Sequence, residues 1–245
     1  MGLALRTIVT IPIPLDSVEV WDTFRPFIER FCDTWRLNSP GVDCEIIASC
    51  CNDGPNDDLR KMFHDLPVSF VHYSGEGCDL GSAQQIACAI GTGFMVNCTS
   101  RCYFHRPDWL KRLVTAREAI GPDLFGCFAS HESGRLHVCT RAYSLDAQDF
   151  ALYPVQINSR NLGVFFECGD GNLMEWFEAR NKKPWVVGWS GIHERADWFK
   201  IPNRFRNGDQ SDCLVFDKHT DIYRDAEGEF KTQLEEMANN GTHVP

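Results

Sequence analysis

The sequence predicts an α/β fold with a mostly parallel central sheet flanked by helices, and three observations carry that expectation. β-Branched apolar runs alternate with helical periodicity along the first half of the chain. Each run closes on a polar or glycine-proline turn. Of the 245 residues, 43% are hydrophobic and 12% aromatic, enough to bury one large core. No linker, low-complexity stretch or internal repeat interrupts the chain, so a single domain over 1–245 is expected.

Thr7 to Pro14 (TIVTIPIP) reads as a buried first strand closed by proline. Val18, Trp21, Phe24, Phe27, Ile28, Phe31 and Trp35 then recur at helical spacing, with Asp16 and Ser17 as caps and Pro26 as an expected disturbance. Asp43 to Cys51 is the second strand, ending at the turn Asn52-Asp53-Gly54-Pro55, and Val68 to Tyr73 is the third. A glycine-rich loop, Ser74 to Ser82, leads into a small-residue helix through Ile90, and Phe94 to Cys98 is the fourth strand. Its carboxyl end is where a ligand is expected, because open α/β sheets bind outside the carboxyl ends of their strands. Asp108 to Ile120 is an amphipathic helix ended by Gly121-Pro122, followed by strands over Asp123 to Ser130 and Leu136 to Thr140. Beyond them the pattern is irregular: a helix over Gly171 to Arg180, a strand over Trp185 to Gly188 and a terminal helix over Arg224 to Asn239.

A net charge of -10 repels phosphate backbones, which argues against nucleic acid as the partner. A local basic pocket for a small diphosphate is still compatible with it, and Arg101, Arg141, Arg204 and Arg206 are the candidates. Twelve cysteines without metal-finger spacing, in a chain that opens on a strand-like run and not on a signal peptide, point to reduced thiols and a cytoplasmic location. No apolar run reaches the length of a spanning helix, so any lipid-linked acceptor is met from outside the bilayer.

The first half resembles the nucleotide-binding half of family-two glycosyltransferases, which have the GT-A fold. The match runs through Thr7 to Pro12, Ile46 to Pro55, Gly75 to Ser82 and Gly93 to Leu110. The second half resembles bacterial and viral members of that family that serve polysaccharide assembly. It does so through Cys139-Thr140-Arg141, Phe166-Glu167-Cys168-Gly169, Val186-Val187-Gly188, Ala196-Asp197-Trp198, Phe205-Arg206-Asn207-Gly208-Asp209-Gln210 and the stretch Asp217 to Tyr223. The resemblance implies a nucleotide-sugar-binding half over 1–110 and an acceptor-binding half over 111–245. It also implies transfer of a sugar from a nucleotide-diphosphate donor to a hydroxyl of a glycan or lipid-linked glycan, with inversion.

Carried over residue by residue, the resemblance places Asp53 against the base and the backbone of Ile11 and Pro12 along the nucleoside. The aspartate pair that holds manganese or magnesium in the family is replaced by Asn97-Cys98-Thr99-Ser100-Arg101, so the expected acidic motif does not support a divalent cation and no metal ligand is assigned. Thr99 and Arg101 instead face the donor, with Arg101 neutralising charge on the leaving diphosphate; Asp79 or Asp209 are the acids available to replace the missing motif. Arg204 and Arg206 suit a loop folded over the diphosphate, against the plainer reading of a solvated basic edge. Glu167 is the candidate base, in a loop-like stretch where burial raises its pKa, and Asp170 is its rival unless it caps the following helix. Trp189 and Trp198 are candidate platforms for an acceptor sugar, against core packing. His193 reads as a surface residue before it reads as a ligand, and Asp217, His219 and Asp221 read as a hydrogen-bonded corner.

Two other functions compete. A nucleotide-sugar-binding pseudoenzyme would account for the missing acids. A nucleotidyltransferase would carry a lysine and a glycine-rich triphosphate loop near the first strand, and Ile11 to Val18 offers neither.

Overall fold

A computed structural model describes residues 6–132 and 134–240, the Cys78 side chain excepted. Among the described residues, ten strands and nine α-helices follow in chain order: β1 (Thr7–Pro14), α1 (Val18–Leu37), β2 (Glu45–Cys51), α2 (Asp57–Met62), β3 (Val68–Tyr73), α3 (Cys78–Ile90), β4 (Phe94–Cys98), α4 (Trp109–Ile120), β5 (Leu124–Gly126), β6 (Ala129–Ser130), β7 (His137–Val138), β8 (Ala142–Asp146), α5 (Ala147–Ala151), α6 (Arg160–Cys168), α7 (Leu173–Glu178), β9 (Pro184–Val187), β10 (Ile192–His193), α8 (Lys218–Asp225) and α9 (Gly228–Asn240). A 3-10 turn covers Arg195–Lys200.

Eight strands form the central sheet in the order β10-β9-β5-β8-β4-β1-β2-β3, while β6 and β7 pair separately. The strands β1 to β4 are mutually parallel, β5 and β9 run with them, and β8 and β10 run against. The expected α/β sheet is thus present. The order reverses at β1, whose successor β2 lies on one side and β4 on the other, which opens a crevice between the carboxyl ends of β1 and β4. Pairing of β1 with β4 stops at Thr10↔Asn97, whereas pairing with β2 continues to Pro14↔Cys51. A buried hydrogen bond of 2.6 Å from Thr10 Oγ1 to Asn97 Oδ1 closes the floor of that crevice.

The first helix begins where its cap predicts: the Ser17 side chain accepts from the Val20 amide. The disturbance expected at Pro26 does not occur, and α1 runs unbroken for 20 residues with Pro26 inside it. The missing proline amide hydrogen bond is offset by packing of the apolar face, where Phe31 and Trp35 meet Phe63, Phe104 and Trp109. Phe104 and Trp109 stack at 4.0 Å between ring centres.

Two elements escape the sequence reading. The segment Ala142–Asp146 was expected to be irregular and is β8, a fully buried strand between β4 and β5. Its end is anchored by the Arg117 guanidinium, which donates to both oxygens of Asp146 at 3.1 and 2.7 Å. Residues 160–168 form α6, capped by Ser159, so Glu167 sits on a helix and not in a loop. Asp170 does not cap the next helix; Asn172 does, accepting from the Glu175 amide at 3.1 Å. The terminal helix expected from Arg224 is two helices, and Asp217 begins the first of them with a reciprocal capping box to Thr220.

The irregular region between β10 and α8 is tied down by charge. Arg204 is fully buried and donates through Nε to Asp212 at 2.8 Å. Asp212 in turn accepts from the Ser190 amide and hydroxyl at 2.6 and 3.0 Å. Four non-glycine residues of this segment, Asn203, Phe205, Arg206 and Gln210, hold left-handed φ of 51° to 58°. Each such residue costs about 1 kcal/mol, so the segment keeps its shape only because these contacts over-determine it.

Gly188 makes the Arg204 seat possible, since a Cβ there would collide with the guanidinium and with the Asp212 carboxylate. Gly188→Ala is therefore expected to lower the unfolding free energy by about 1–3 kcal/mol, the usual penalty for overpacking, read as a reduced denaturant midpoint at unchanged slope.

Candidate functional site

The crevice at the carboxyl ends of β1 and β4 collects side chains from the segment after β4, from α1 and from α3. Arg101, three residues past β4, lies half-buried with its guanidinium 4.5 Å above the Phe24 ring and 5.9 Å from Phe27, both on α1. Its Nε is buried without a hydrogen-bond partner. A guanidinium lying over an aromatic face, with an unsatisfied donor, is prepared for an anion. Asp79, at the start of α3, accepts from the Leu80 amide at 3.0 Å, and burial pushes its carboxyl above the ordinary range; it feels the charges of Glu167 and Arg101. Thr99 holds the other wall in place, its amide donating to the Arg141 carbonyl at 3.0 Å.

Arg141, just before β8, belongs to a buried ion network. It pairs with Glu132, and its Nε stands 3.6 Å from Asp217. Glu132 also accepts from the Nε and an Nη of Arg206, each at 3.2 Å, and Arg206 donates to the His219 carbonyl at 3.0 Å. Burial would raise the Glu132 carboxyl, but the two guanidinium groups outweigh it and hold the group below its ordinary value. Glu132, Arg141 and Arg206 line a small pocket of about 20 Å³, room for a single water, so Arg206 faces inward. Arg204 is likewise spent on Asp212. Neither lies open to a diphosphate, which corrects the expectation for both: the sequence shows two arginines two apart but not the carboxylates that claim them.

Glu167 is placed near the crevice but in a different chemical state from the one expected. Its Oε1 accepts from the Thr140 amide at 2.9 Å and the Thr140 hydroxyl at 2.8 Å, and lies 3.5 Å from His137 Nε2. Burial alone would raise its pKa; the His137 and Thr140 hydrogen bonds reverse that and bring it to about 2. A carboxylate so stabilised is a weak proton acceptor. Asp170 is exposed and paired with Arg135 on the surface, away from the crevice network.

Asp53 stands exposed in the turn after β2, its Oδ1 accepting from the Gly54 amide at 2.7 Å. Ile11 and Pro12 are buried within β1, in the part that extends past the end of its pairing with β4. Trp189 is half-buried and donates from Nε1 to the Cys213 carbonyl at 3.1 Å. Its ring lies 4.7 Å from the Arg106 guanidinium and 5.6 Å from that of Arg112, along an open groove of about 640 Å³. Trp198 has no exposed surface and donates to the His193 carbonyl, which removes it as a sugar platform. His193 is held by the Ser190 hydroxyl at 3.1 Å, and Asp209 sits in an exposed turn, its carboxylate accepting from the Ser211 amide.

Sequence reasoning missed Glu132 and His137. A signal existed for the second: His137 and Cys139 are two apart in the stretch Leu136 to Thr140 that the sequence predicts as a strand, a spacing that puts two side chains on one face. Nothing local marks Glu132, whose partners lie 9 and 74 residues away.

No protein-family model and no curated protein sequence matches the chain. Solved structures share its fold. One is a Bacillus anthracis protein described as a glucose-1-phosphate thymidylyltransferase, with a TM-score of 0.51 at 9% identity over 92% of this chain and 99% of that one. Others match less well. The mannosyltransferase PcManGT of Pyrobaculum calidifontis has a TM-score of 0.41 at 15% identity over 58% of this chain and 44% of that one, and TarS of S. aureus a TM-score of 0.38 at 12% identity over 50% and 21%. The chain thus spans less than half the length of the latter two. The fold it shares with the Bacillus anthracis protein is an α/β fold with a large, mainly parallel sheet flanked by helices. Among the described residues, no helix is long and apolar enough to cross a membrane.

Glu132→Gln leaves two buried guanidinium groups short of a counter-charge and is expected to cost about 3–5 kcal/mol of stability. The wild-type contribution carries a pH signature. Because the folded pKa of Glu132 is depressed, its stabilisation is present in full above 4.5, its ordinary value, and is lost as pH falls through the depressed one. Denaturation curves from neutral to acid pH should therefore show a loss in the wild type that the glutamine variant lacks in this component.

Proposed function

We propose that the protein is a glycosyltransferase that moves a sugar from a nucleotide-diphosphate donor to a hydroxyl of a glycan or lipid-linked glycan acceptor. The observation that carries this reading is Arg101: a guanidinium with no carboxylate partner among the described residues, lying over the Phe24 ring and offering a buried free donor, at the strand-order reversal of the α/β sheet. The donor diphosphate lies against Arg101 and Thr99, the nucleoside runs along Ile11 and Pro12, and the base reaches Asp53. This assigns residues 1–110 to the donor and 111–245 to the acceptor.

In the reaction, the acceptor oxygen attacks the anomeric carbon as the bond from that carbon to the diphosphate oxygen breaks. Direct displacement inverts the configuration. The acceptor proton passes to a carboxylate, and the charge that grows on the diphosphate is met by Arg101. Asp79 replaces Glu167 as the proton acceptor in this scheme, because burial raises its basicity while Glu167 is held as a strongly stabilised anion. Trp189, flanked by Arg106 and Arg112, is the acceptor platform that stays accessible. A nucleotide-sugar-binding protein without transfer activity is the second reading, and the engaged state of Glu167 favours it.

Calorimetry and thermal shift with nucleotide diphosphates and nucleotide sugars, in manganese and in chelator, test the donor site, since a ligand stabilises in proportion to its binding. One nucleotide family should stabilise the protein, and do so in chelator as well; a protein indifferent to all of them is not a glycosyltransferase of this kind. Arg101→Ala should weaken that binding by about 1.5–3 kcal/mol, the worth of hydrogen bonds to a charged group. Asp79→Asn should leave binding intact and lower turnover by about 10²–10⁴. Binding without turnover in the wild type, across donors and acceptors, would establish the second reading.

A further inference from the structure

His137, Cys139 and Glu167 bring one ligand atom each to a common point, with all three atoms within 4.8 Å of one another. His137 and Cys139 are almost completely buried, and they sit on one face of the β7 segment opposite the end of α6. His137 Nε2 and Glu167 Oε1 are 3.5 Å apart. In a tetrahedral zinc site with bonds of about 2.0–2.3 Å, neighbouring ligand atoms are separated by roughly 3.3–3.7 Å.

The surroundings orient these atoms as outer-shell groups do. The Arg135 carbonyl lies 2.8 Å from His137 Nδ1 and holds a proton there, so a cation that displaces the Nε2 proton meets a lone pair directed at Cys139 and Glu167. The Thr140 amide and hydroxyl both donate to Oε1 of Glu167 and hold that oxygen in place. The charges also balance: one thiolate and one carboxylate match a divalent cation, with a neutral imidazole as third ligand, so the buried cluster carries no net charge.

We propose that His137, Cys139 and Glu167 form a binding site for one divalent cation of borderline softness, zinc above all, with the fourth coordination position left to water. A thiolate and an imidazole select zinc or cobalt over magnesium and manganese. The site is therefore chemically distinct from the hard-cation motif whose position Asn97 to Arg101 occupies. Its ion ties β7 to α6 and fixes Glu167. The assignment does not depend on the glycosyltransferase reading.

The test is titration of the full-length, chelator-stripped protein with cobalt(II), followed by competition with zinc(II). One equivalent of cobalt should bind, with a thiolate-to-cobalt charge-transfer band and the intense visible bands of a four-coordinate ion, and zinc should displace it and raise the melting temperature. Cys139→Ser should abolish the charge-transfer band. It should also weaken affinity by more than the roughly 10–100-fold that loss of an outer-shell partner costs. His137→Gln should weaken binding to a similar degree, while Cys88→Ser, at an exposed cysteine, should change nothing. Failure of the wild-type protein to bind cobalt stoichiometrically overturns the site without recourse to any variant, as does a charge-transfer band that survives Cys139→Ser. Nucleotide calorimetry on the same preparation separates the two proposals: metal without nucleotide affinity sinks the proposed function alone, and nucleotide affinity without metal sinks this site alone.

Discussion

The carboxylate of Glu132, held between the guanidinium groups of Arg141 and Arg206, is the interaction on which the second half of the molecule depends. Arg141 leads into β8, the central antiparallel strand, and its backbone carbonyl also receives the Thr99 amide at the crevice. Arg206 belongs to the left-handed segment between Asn203 and Gln210 and donates to the His219 carbonyl in α8. One buried anion thus fixes the sheet, the strained segment and a carboxyl-terminal helix against each other. Coulomb attraction at low dielectric is strong enough to hold backbone conformations that local sterics disfavour, and desolvation makes any partial version of the network costly.

The fold was readable where burial follows local pattern. The strands β1, β2, β3 and β4 and the helices α1 and α4 announce themselves through β-branched runs, helical spacing, Ser17 and Gly121. The strand β8 did not. Its sequence Ala-Tyr-Ser-Leu-Asp has too few large apolar side chains to look like a central strand. It is buried because β4 and β5 flank it, and Asp146 is tolerated there because Arg117, 29 residues earlier, neutralises it. The same limit governs the site. Arg101 follows from its place after the fourth strand, whereas Arg204 looks identical to it in one dimension and is withdrawn into the interior by Asp212 and by the space at Gly188. Trp198 and Trp189 differ only in what packs on them. An isolated charge or ring in a sequence carries its chemistry but not its partner, and the partner decides between binding and structure.

The crevice and the Glu132 network are contiguous but differ in character. Around Arg101 and Asp79 the groups are incompletely satisfied, with a free guanidinium donor and a carboxyl whose burial raises its basicity. Around Arg204, Arg206 and Glu132 every charge has an opposite charge beside it, although one buried Nη of Arg204 has no acceptor among the described residues. A guanidinium with no carboxylate partner beside guanidinium groups that have theirs marks the difference between a group prepared for a ligand and the frame that keeps it in shape.

The position of β8 also bears on how the chain must be made. As the protein emerges from a ribosome, β1 to β4 can pair as soon as residue 98 is available, yet the strand that covers the outer edge of β4 arrives only with residues 142–146. Over that interval a nascent chain presents an apolar parallel sheet with an unpaired edge, the kind of surface that recruits other strands. Further clasps come later still, when Asp221 of α8 reaches Arg30 of α1 across 191 residues at 2.8 Å and the Ala238 carbonyl of α9 accepts from the His131 amide at 3.0 Å. Pairing of β8 with β4 is therefore the step that removes this edge from the growing chain.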